Sequence, residues 1–292
     1  MPRPSPAALA LAERYRPALE RVPPRGPAGE RLGRASGSSL EFHDRRPYQL
    51  GDDVRHIDWR AVARTDQLVT RVWREEVLAR VEILVDVSRS LAIEPAKAQL
   101  TVDLAALLAH SAREDGCEAL VIALGEEPRP VPLDELTRDG LEFEARAPFE
   151  PLLRAAAGLQ RRGAMVVVLS DFLFPHDPRT LVRLAAARAG VLALVQLLSR
   201  DEESPRPGST QRLVDCESDA TLDLVLDTAT VAAYTQRLTS LQQALADESR
   251  RAAARFATLV ADAPLEAVVS RAASLDAFLA SPGLVDEYFA AL

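Results

Sequence analysis

The apolar and polar positions of the chain change period several times, and each change predicts an element. Residues 7 to 15 suit a short helix, and "LVTRVWRE" (68–75) alternates as a half-buried strand does. Val81 to Val87 is a buried strand, interrupted inside only by Glu82 and closing on Asp86. Leu100, Leu104, Leu107 and Leu108 then recur at helical spacing within Pro95 to Glu114, a helix opened by proline. "EALVIAL" (118–124), "AMVVVLSDF" (164–172) and "VLALVQLL" (191–198) are further buried strands, and "RPVPLD" (129–134) is a short edge strand. Helices are predicted over about 148–161 and 178–189. The apolar strands alternate with helices, so the expected fold is α/β, a mostly parallel sheet with helices on both faces in a Rossmann-type three-layer arrangement. "QRLVDCES" and "TLDLVLDT" predict a hairpin on the sheet edge, 230–260 one long Ala-rich helix, and the remainder a further helical segment.

Three regions follow from this pattern. Residues 1–35, rich in Pro, Arg and Gly, form an N-terminal extension, partly flexible. Residues 36–76 are a charged segment expected to pack on the core. Residues 77–292 are the α/β domain with C-terminal helices.

Composition narrows the function classes. The 292 residues are 48% hydrophobic and carry a formal net charge of -8, which argues against a nucleic-acid-binding role. The charge is uneven: residues 1 to 80 hold 15 Arg against 11 acidic residues, whereas the remainder holds 20 basic and 32 acidic residues. A basic arm beside an acidic body suits either internal pairing or an acidic partner. Cys117 and Cys216 lie in no metal or redox spacing, and His43, His56, His110 and His176 are scattered. No apolar run approaches the roughly 20 residues needed to span a bilayer, and the N-terminus lacks the pattern of a signal peptide, so a cytoplasmic location is expected.

The chemistry gathers at two strand ends. The first buried strand runs into "DVSRS", the later one into "LSDF". In an open parallel sheet ligands bind beyond the carboxyl ends of the strands. If these strands are neighbours, Asp86, Ser88, Ser90 and Asp171 converge, and hydroxyls with carboxylates suit a hard cation such as Mg²⁺. The competing reading is local: Ser88 or Ser90 caps the following helix, and Asp171 caps its own turn.

"ILVDVSRS" and "VVVLSDF" resemble the two signature strands of von Willebrand factor A domains. The resemblance implies a metal-ion-dependent adhesion site at Asp86, Ser88, Ser90 and Asp171. The serines would bind the ion directly, the aspartates mostly through water, and a partner's carboxylate would complete the shell. That family also supplies a Thr from a third loop. Here the corresponding stretch, "EARAPFEPLLRAA", has neither Thr nor Ser, and Thr137 lies too early.

The segment "EFHDRRPYQLGDDVRHIDWRAVARTDQL" interleaves Phe42, Tyr48, Ile57 and Trp59 with paired Arg and Asp. It is similar to the hallmark of the domain-of-unknown-function 58 family, whose members carry a von Willebrand factor A-like domain and often accompany MoxR-type AAA+ ATPases. Internal ion pairing is expected to account for most of its charges. Arg46, Tyr48, Asp52, Asp53, Arg55, Asp58, Trp59 and Arg64 are the candidate partner-binding positions. The resemblance implies a non-enzymatic adaptor that uses Mg²⁺ and works with such an ATPase or a client protein. Two other readings stand beside it. One is a Mg²⁺-dependent phosphohydrolase with Asp86 as nucleophile, although the position two residues on is Ser88 rather than an acid. The other is a scaffold whose metal site is degenerate.

Overall fold

A computed structural model of the chain describes residues 1–14, 16–17, 40–49, 57–65, 67–75, 80–208, 210–214, 221–271 and 279–280. The chain divides into two compact units, Met1–Pro24 with Ala79–Leu292, and Arg25–Leu78. Along the chain, the larger unit opens with α1 (Pro6–Arg14) and β1 (Arg16–Pro17). The smaller unit holds β2 (Leu40–Pro47), α2 (Trp59–Thr65) and β3 (Val69–Glu75). The larger unit resumes with β4 (Arg80–Asp86), α3 (Pro95–Glu114), β5 (Glu118–Leu124), β6 (Pro128–Val131), α4 (Leu133–Asp139) and α5 (Phe149–Ala156). It continues with β7 (Ala164–Ser170), α6 (Pro178–Ala186), β8 (Ala189–Leu198) and α7 (Arg200–Glu203). The described elements close with β9 (Thr210–Val214), β10 (Thr221–Val225), α8 (Thr228–Arg251), β11 (Arg255–Val260), α9 (Leu265–Arg271) and β12 (Leu279–Ala280).

The main sheet has the order β11-β8-β7-β4-β5-β6 and is parallel except for β6. Its strands are apolar on both sides because helices cover both faces. Ile83 and Val85 of β4 face a core shared with α1, α3 and α9, while Leu84 faces one shared with α5, α6 and α8. Each fully buried Leu or Ile contributes roughly 1.5–3 kcal/mol, so these two slabs hold the three layers together. The predicted three-layer α/β fold is therefore the observed one. The N-terminal helix belongs to it: Ala8, Leu11 and Ala12 are buried in the core, and α1 lies along α3.

Glu82, the odd polar residue inside β4, is fully buried near the sheet's opposite end. Its Oε1 accepts the Arg161 backbone N–H at 2.8 Å and lies 3.0 Å from Arg80 Nε. Burial holds its carboxyl above the ordinary glutamate value, and the Arg161 and Arg80 contacts offset only part of that.

Three expectations fail. The hairpin β9–β10 forms its own two-stranded antiparallel sheet rather than an edge of the main one. That edge is β11, parallel to β8, in a stretch expected to be helix. Third, the charged segment, where only the strand at 68–75 is expected, also holds β2 and α2; β2 pairs antiparallel with β3 through an irregularity between Phe42 and Asp44.

The helix α8 stops at Arg251 for a backbone reason. The Ala254 N–H bonds the Ser249 carbonyl at 2.7 Å and the Ala253 N–H bonds the Arg250 carbonyl at 3.1 Å, the paired closure of a Schellman motif. Ala253 takes the left-handed position, φ 53°, that glycine normally fills. After it, "RFATLV" places Ala257 and Leu259 inward at strand spacing. Ala253→Gly should stabilise the protein by about 1 kcal/mol. Urea denaturation checks this; a loss of stability would show that the motif does not strain Ala253.

Candidate functional site

The strand order reverses between β4 and β7. The connection from β4 runs through α3 to β5 on one side, and that from β7 runs through α6 to β8 on the other. Such a switch point opens a crevice beyond the carboxyl ends of the strands. Val85 pairs with Leu169, so the next residues, Asp86 and Ser170, emerge side by side. The Ser170 hydroxyl donates to Asp86 Oδ2 at 2.6 Å, and the Ser88 N–H donates to Oδ1 at 2.9 Å. Both oxygens of a carboxylate that is only 2% exposed are thus held.

The serines do not act as helix caps. Ser88 sits at the N-terminal edge of a short 3-10 turn, Arg89–Ala92, without a side-chain cap bond, and α3 is preceded by Glu94, also without one. Instead the Ser88 and Ser90 hydroxyl oxygens lie 3.0 Å apart. A Mg²⁺ octahedron with bonds of about 2.0–2.1 Å has neighbouring ligands about 2.9 Å apart, so the two hydroxyls fit one edge of it. Asp86 and Ser88 line a cavity of about 330 Å³ with Arg146, Phe149, Glu150 and Phe174. Among the described residues no group of three or more His, Cys, Asp and Glu could hold a metal, so hydroxyls are needed for such a site here.

Asp171 is engaged differently. Its Oδ1 accepts the Leu173 N–H at 3.1 Å, the local turn that is the alternative to metal binding. Its Oδ2 accepts from Lys97 Nζ at 2.9 Å. The Lys97 side chain is 0% exposed, and its ammonium also donates to Glu202 at 2.7 and 2.9 Å and to the Ser90 carbonyl at 3.1 Å. Burial alone would lower its pKa. The Asp171 and Glu202 carboxylates more than offset that, and the pKa ends above the ordinary lysine value. Just past Asp171, Phe172 adopts φ 52°, a left-handed conformation costly for a bulky residue; it is wholly buried and packs edge-on against Phe149, with ring centres 6.2 Å apart.

The third loop comes to the site without a Thr. Ala145 forms a parallel bridge with Ser88, accepting the Arg89 N–H at 3.3 Å and donating to the Val87 carbonyl at 3.2 Å. From this loop Arg146 and Glu150, and no hydroxyl, line the cavity beside Ser88. Thr137 belongs to α4, where its hydroxyl donates to the Leu133 carbonyl.

Three members of this cluster lie outside the candidate set. Ser170 was visible as a neighbour of Asp171 in "LSDF". Lys97, the chain's only lysine, shares an inward helical stripe with Leu100 and Leu104, a placement that demands a charge partner. Gln196, a lone amide in an apolar strand, donates to the Asp171 carbonyl at 2.8 Å and accepts from Gln242 and Thr258.

Of the candidate partner-binding residues, Asp52, Asp53 and Arg55 lie outside the described residues, and Arg46 falls in β2. The Tyr48 backbone N–H donates to the Leu68 carbonyl. Asp58 is buried at the start of α2, where its Oδ1 accepts the Ala61 N–H at 3.2 Å. Trp59 is 63% exposed, and Arg64 is exposed on the same helix.

Carboxylates and hydroxyls gathered at the switch point of a mostly parallel sheet make this an α/β protein with a ligand-type crevice. Residues 44–244 match the family described as "Protein of unknown function DUF58", and the chain belongs to that family. It is 32% identical over 221 residues to the uncharacterized proteins Mb1516 of Mycobacterium bovis and Rv1480 of Mycobacterium tuberculosis, covering 69% of this chain and 68% of each relative. Two solved structures are similar at low identity. An aerotolerance-related membrane protein from Bacteroides fragilis is 15% identical, with 59% of this chain and 99% of that chain covered and a TM-score of 0.32. The conserved hypothetical protein BatB from Bacteroides thetaiotaomicron is 14% identical, with 60% and 98% covered and a TM-score of 0.33. Among the described residues no helix is long and apolar enough to cross a membrane.

Burial first, and the neighbouring Asp171 carboxylate second, push Asp86 up to about 6, while the bonds from Ser170 and Ser88 pull the other way. Its folded value therefore exceeds its unfolded one. The stability held by the protonated form is complete below the unfolded value and is lost as pH rises through about 6. Asp86→Asn should stabilise the metal-free protein at pH above 7 by on the order of 1–3 kcal/mol, with the gain gone below about pH 4. Denaturation across pH checks this; an Asn variant less stable at every pH would contradict it.

Proposed function

We propose that this protein is a non-enzymatic, cytoplasmic adaptor that binds an acidic side chain of a partner protein at the strand-end crevice, in the manner of a metal-ion-dependent adhesion site of a von Willebrand factor A-like domain. The observation that carries the reading is the pair of serine hydroxyls 3.0 Å apart beside a buried, doubly hydrogen-bonded Asp86. Ser88 and Ser90 would hold Mg²⁺ directly, with Asp86 holding its waters; both oxygens of Asp171 are taken, by Lys97 and by the Leu173 N–H. When bound, the ion supplies an open position for a carboxylate oxygen. The chain's own groups set the rest: Ser170 and the Ser88 N–H fix the Asp86 carboxylate, and the bridge to Ala145 fixes the serine loop. An Asp86 with both oxygens engaged and 2% exposure is poorly placed as a nucleophile, which favours binding over phosphoryl chemistry.

The family resemblance supports a MoxR-type AAA+ ATPase as the partner, in maturation or assembly of client proteins. The exposed Trp59 with Arg64 offers an aromatic and cationic contact of the kind that anchors protein interfaces.

Affinity capture from the native host should recover an AAA+ ATPase in Mg²⁺ and lose it in chelator. Ser88→Ala and Ser90→Ala should each weaken capture by about tenfold or more. Capture that is indifferent to both chelator and serines would sink the metal-dependent reading. Trp59→Ala should weaken capture by a similar factor without altering the response to chelator, measured by titrating the purified ATPase.

A further inference from the structure

Lys97 ligates nothing in the proposed site, yet its buried ammonium is held beside it by Ser90, Asp171 and Glu202. A buried ammonium that spends itself on Asp171 changes what the crevice can bind. With Asp171 neutralised, Asp86 is the carboxylate left to face a cation beside Ser88 and Ser90. A divalent cation there keeps an excess positive charge, which a ligand carboxylate would cancel. Glu202 adjusts the balance, because it draws on the same ammonium at 2.7 Å and is itself 21% exposed.

We propose that Lys97 is the charge-setting residue of the Asp86–Ser88–Ser90 site: a tethered cation that consumes the Asp171 carboxylate and so keeps divalent-cation affinity low until an acidic ligand supplies the missing negative charge. Three contacts suit Lys97 to this role. It is joined to Asp171 on one strand end, to the carbonyl of Ser90 in the serine loop, and to Glu202 on α7. The position of its charge is therefore fixed by the fold rather than by solvent. Cation and carboxylate then bind cooperatively, each weak alone.

The proposal rests on the reading that Asp86, Ser88 and Ser90 hold a cation, and the test separates the two. Mn²⁺ is titrated into the full chain by calorimetry and electron paramagnetic resonance, alone and with a blocked Gly-Glu-Gly peptide as the acidic probe. Wild type should bind Mn²⁺ weakly and tighter with the peptide. Lys97→Met should bind Mn²⁺ alone about tenfold or more tighter, because a nearby like charge is gone and a carboxylate is released, and should lose most of the peptide's enhancement. Glu202→Gln keeps the ammonium but removes part of its neutralisation, so Mn²⁺ should bind more weakly than to wild type. Folding is verified by circular dichroism and gel filtration; if Lys97→Met does not fold, Glu202→Gln decides. A folded Lys97→Met that binds Mn²⁺ no tighter than wild type, or a Glu202→Gln that binds it as well or better, overturns the role of Lys97 and leaves the metal reading standing. Failure of wild type and all variants to bind Mn²⁺ overturns the metal reading and this proposal with it.

Discussion

The ammonium of Lys97 is the constraint around which the crevice is organised. A lone charge wholly removed from water costs several kcal/mol and persists only when paired and hydrogen-bonded. Here the neutralising groups come from far-separated places in the chain: Asp171 after β7, Glu202 on α7, and the Ser90 carbonyl in the loop after β4. None of these segments can shift without leaving the ammonium unsatisfied. Glu202 also closes a capping box with Ser199, and its carbonyl accepts the Tyr234 hydroxyl at 2.7 Å, which ties α8 to the same point. The register of β4 against β7 then places Ser170 beside Asp86 as a matter of strand geometry.

A second layer supports the first. Gln196 is buried in β8, and its amide spans from the Asp171 carbonyl to Gln242 on α8 and Thr258 on β11. The site is therefore braced along the whole half of the sheet from β4 to β11. The strained backbone at Phe172 is held by burial and by the Phe149 ring, so the turn that presents Asp171 is fixed by packing as well as by charge.

Much of this was legible in the sequence, for physical reasons that also explain what was not. Strands buried on both faces read as unbroken apolar runs, so β4, β5, β7 and β8 were apparent, and α3 showed a strong inward stripe. The convergence of Asp86 and Asp171 followed from the rule for parallel sheets. The strand β11 was hidden because an alanine, not a glycine, ends α8, and six residues of alternation are too few to outweigh an Ala-rich context. The strand β2 was hidden because charged residues carry no periodicity of burial. Lys97 was visible as a lone lysine, but its partners lie 74 and 105 residues away, and no local pattern records such contacts.

The bridge between Ser88 and Ala145 has a consequence for how this crevice can vary. Main-chain bonds tie the serine loop to the loop that carries Arg146 and Glu150, so the register between the two loops is set by backbone. A one-residue insertion in either loop would break that register and displace the serine pair. Substitutions there should retune what enters the crevice, and changes in loop length should abolish it.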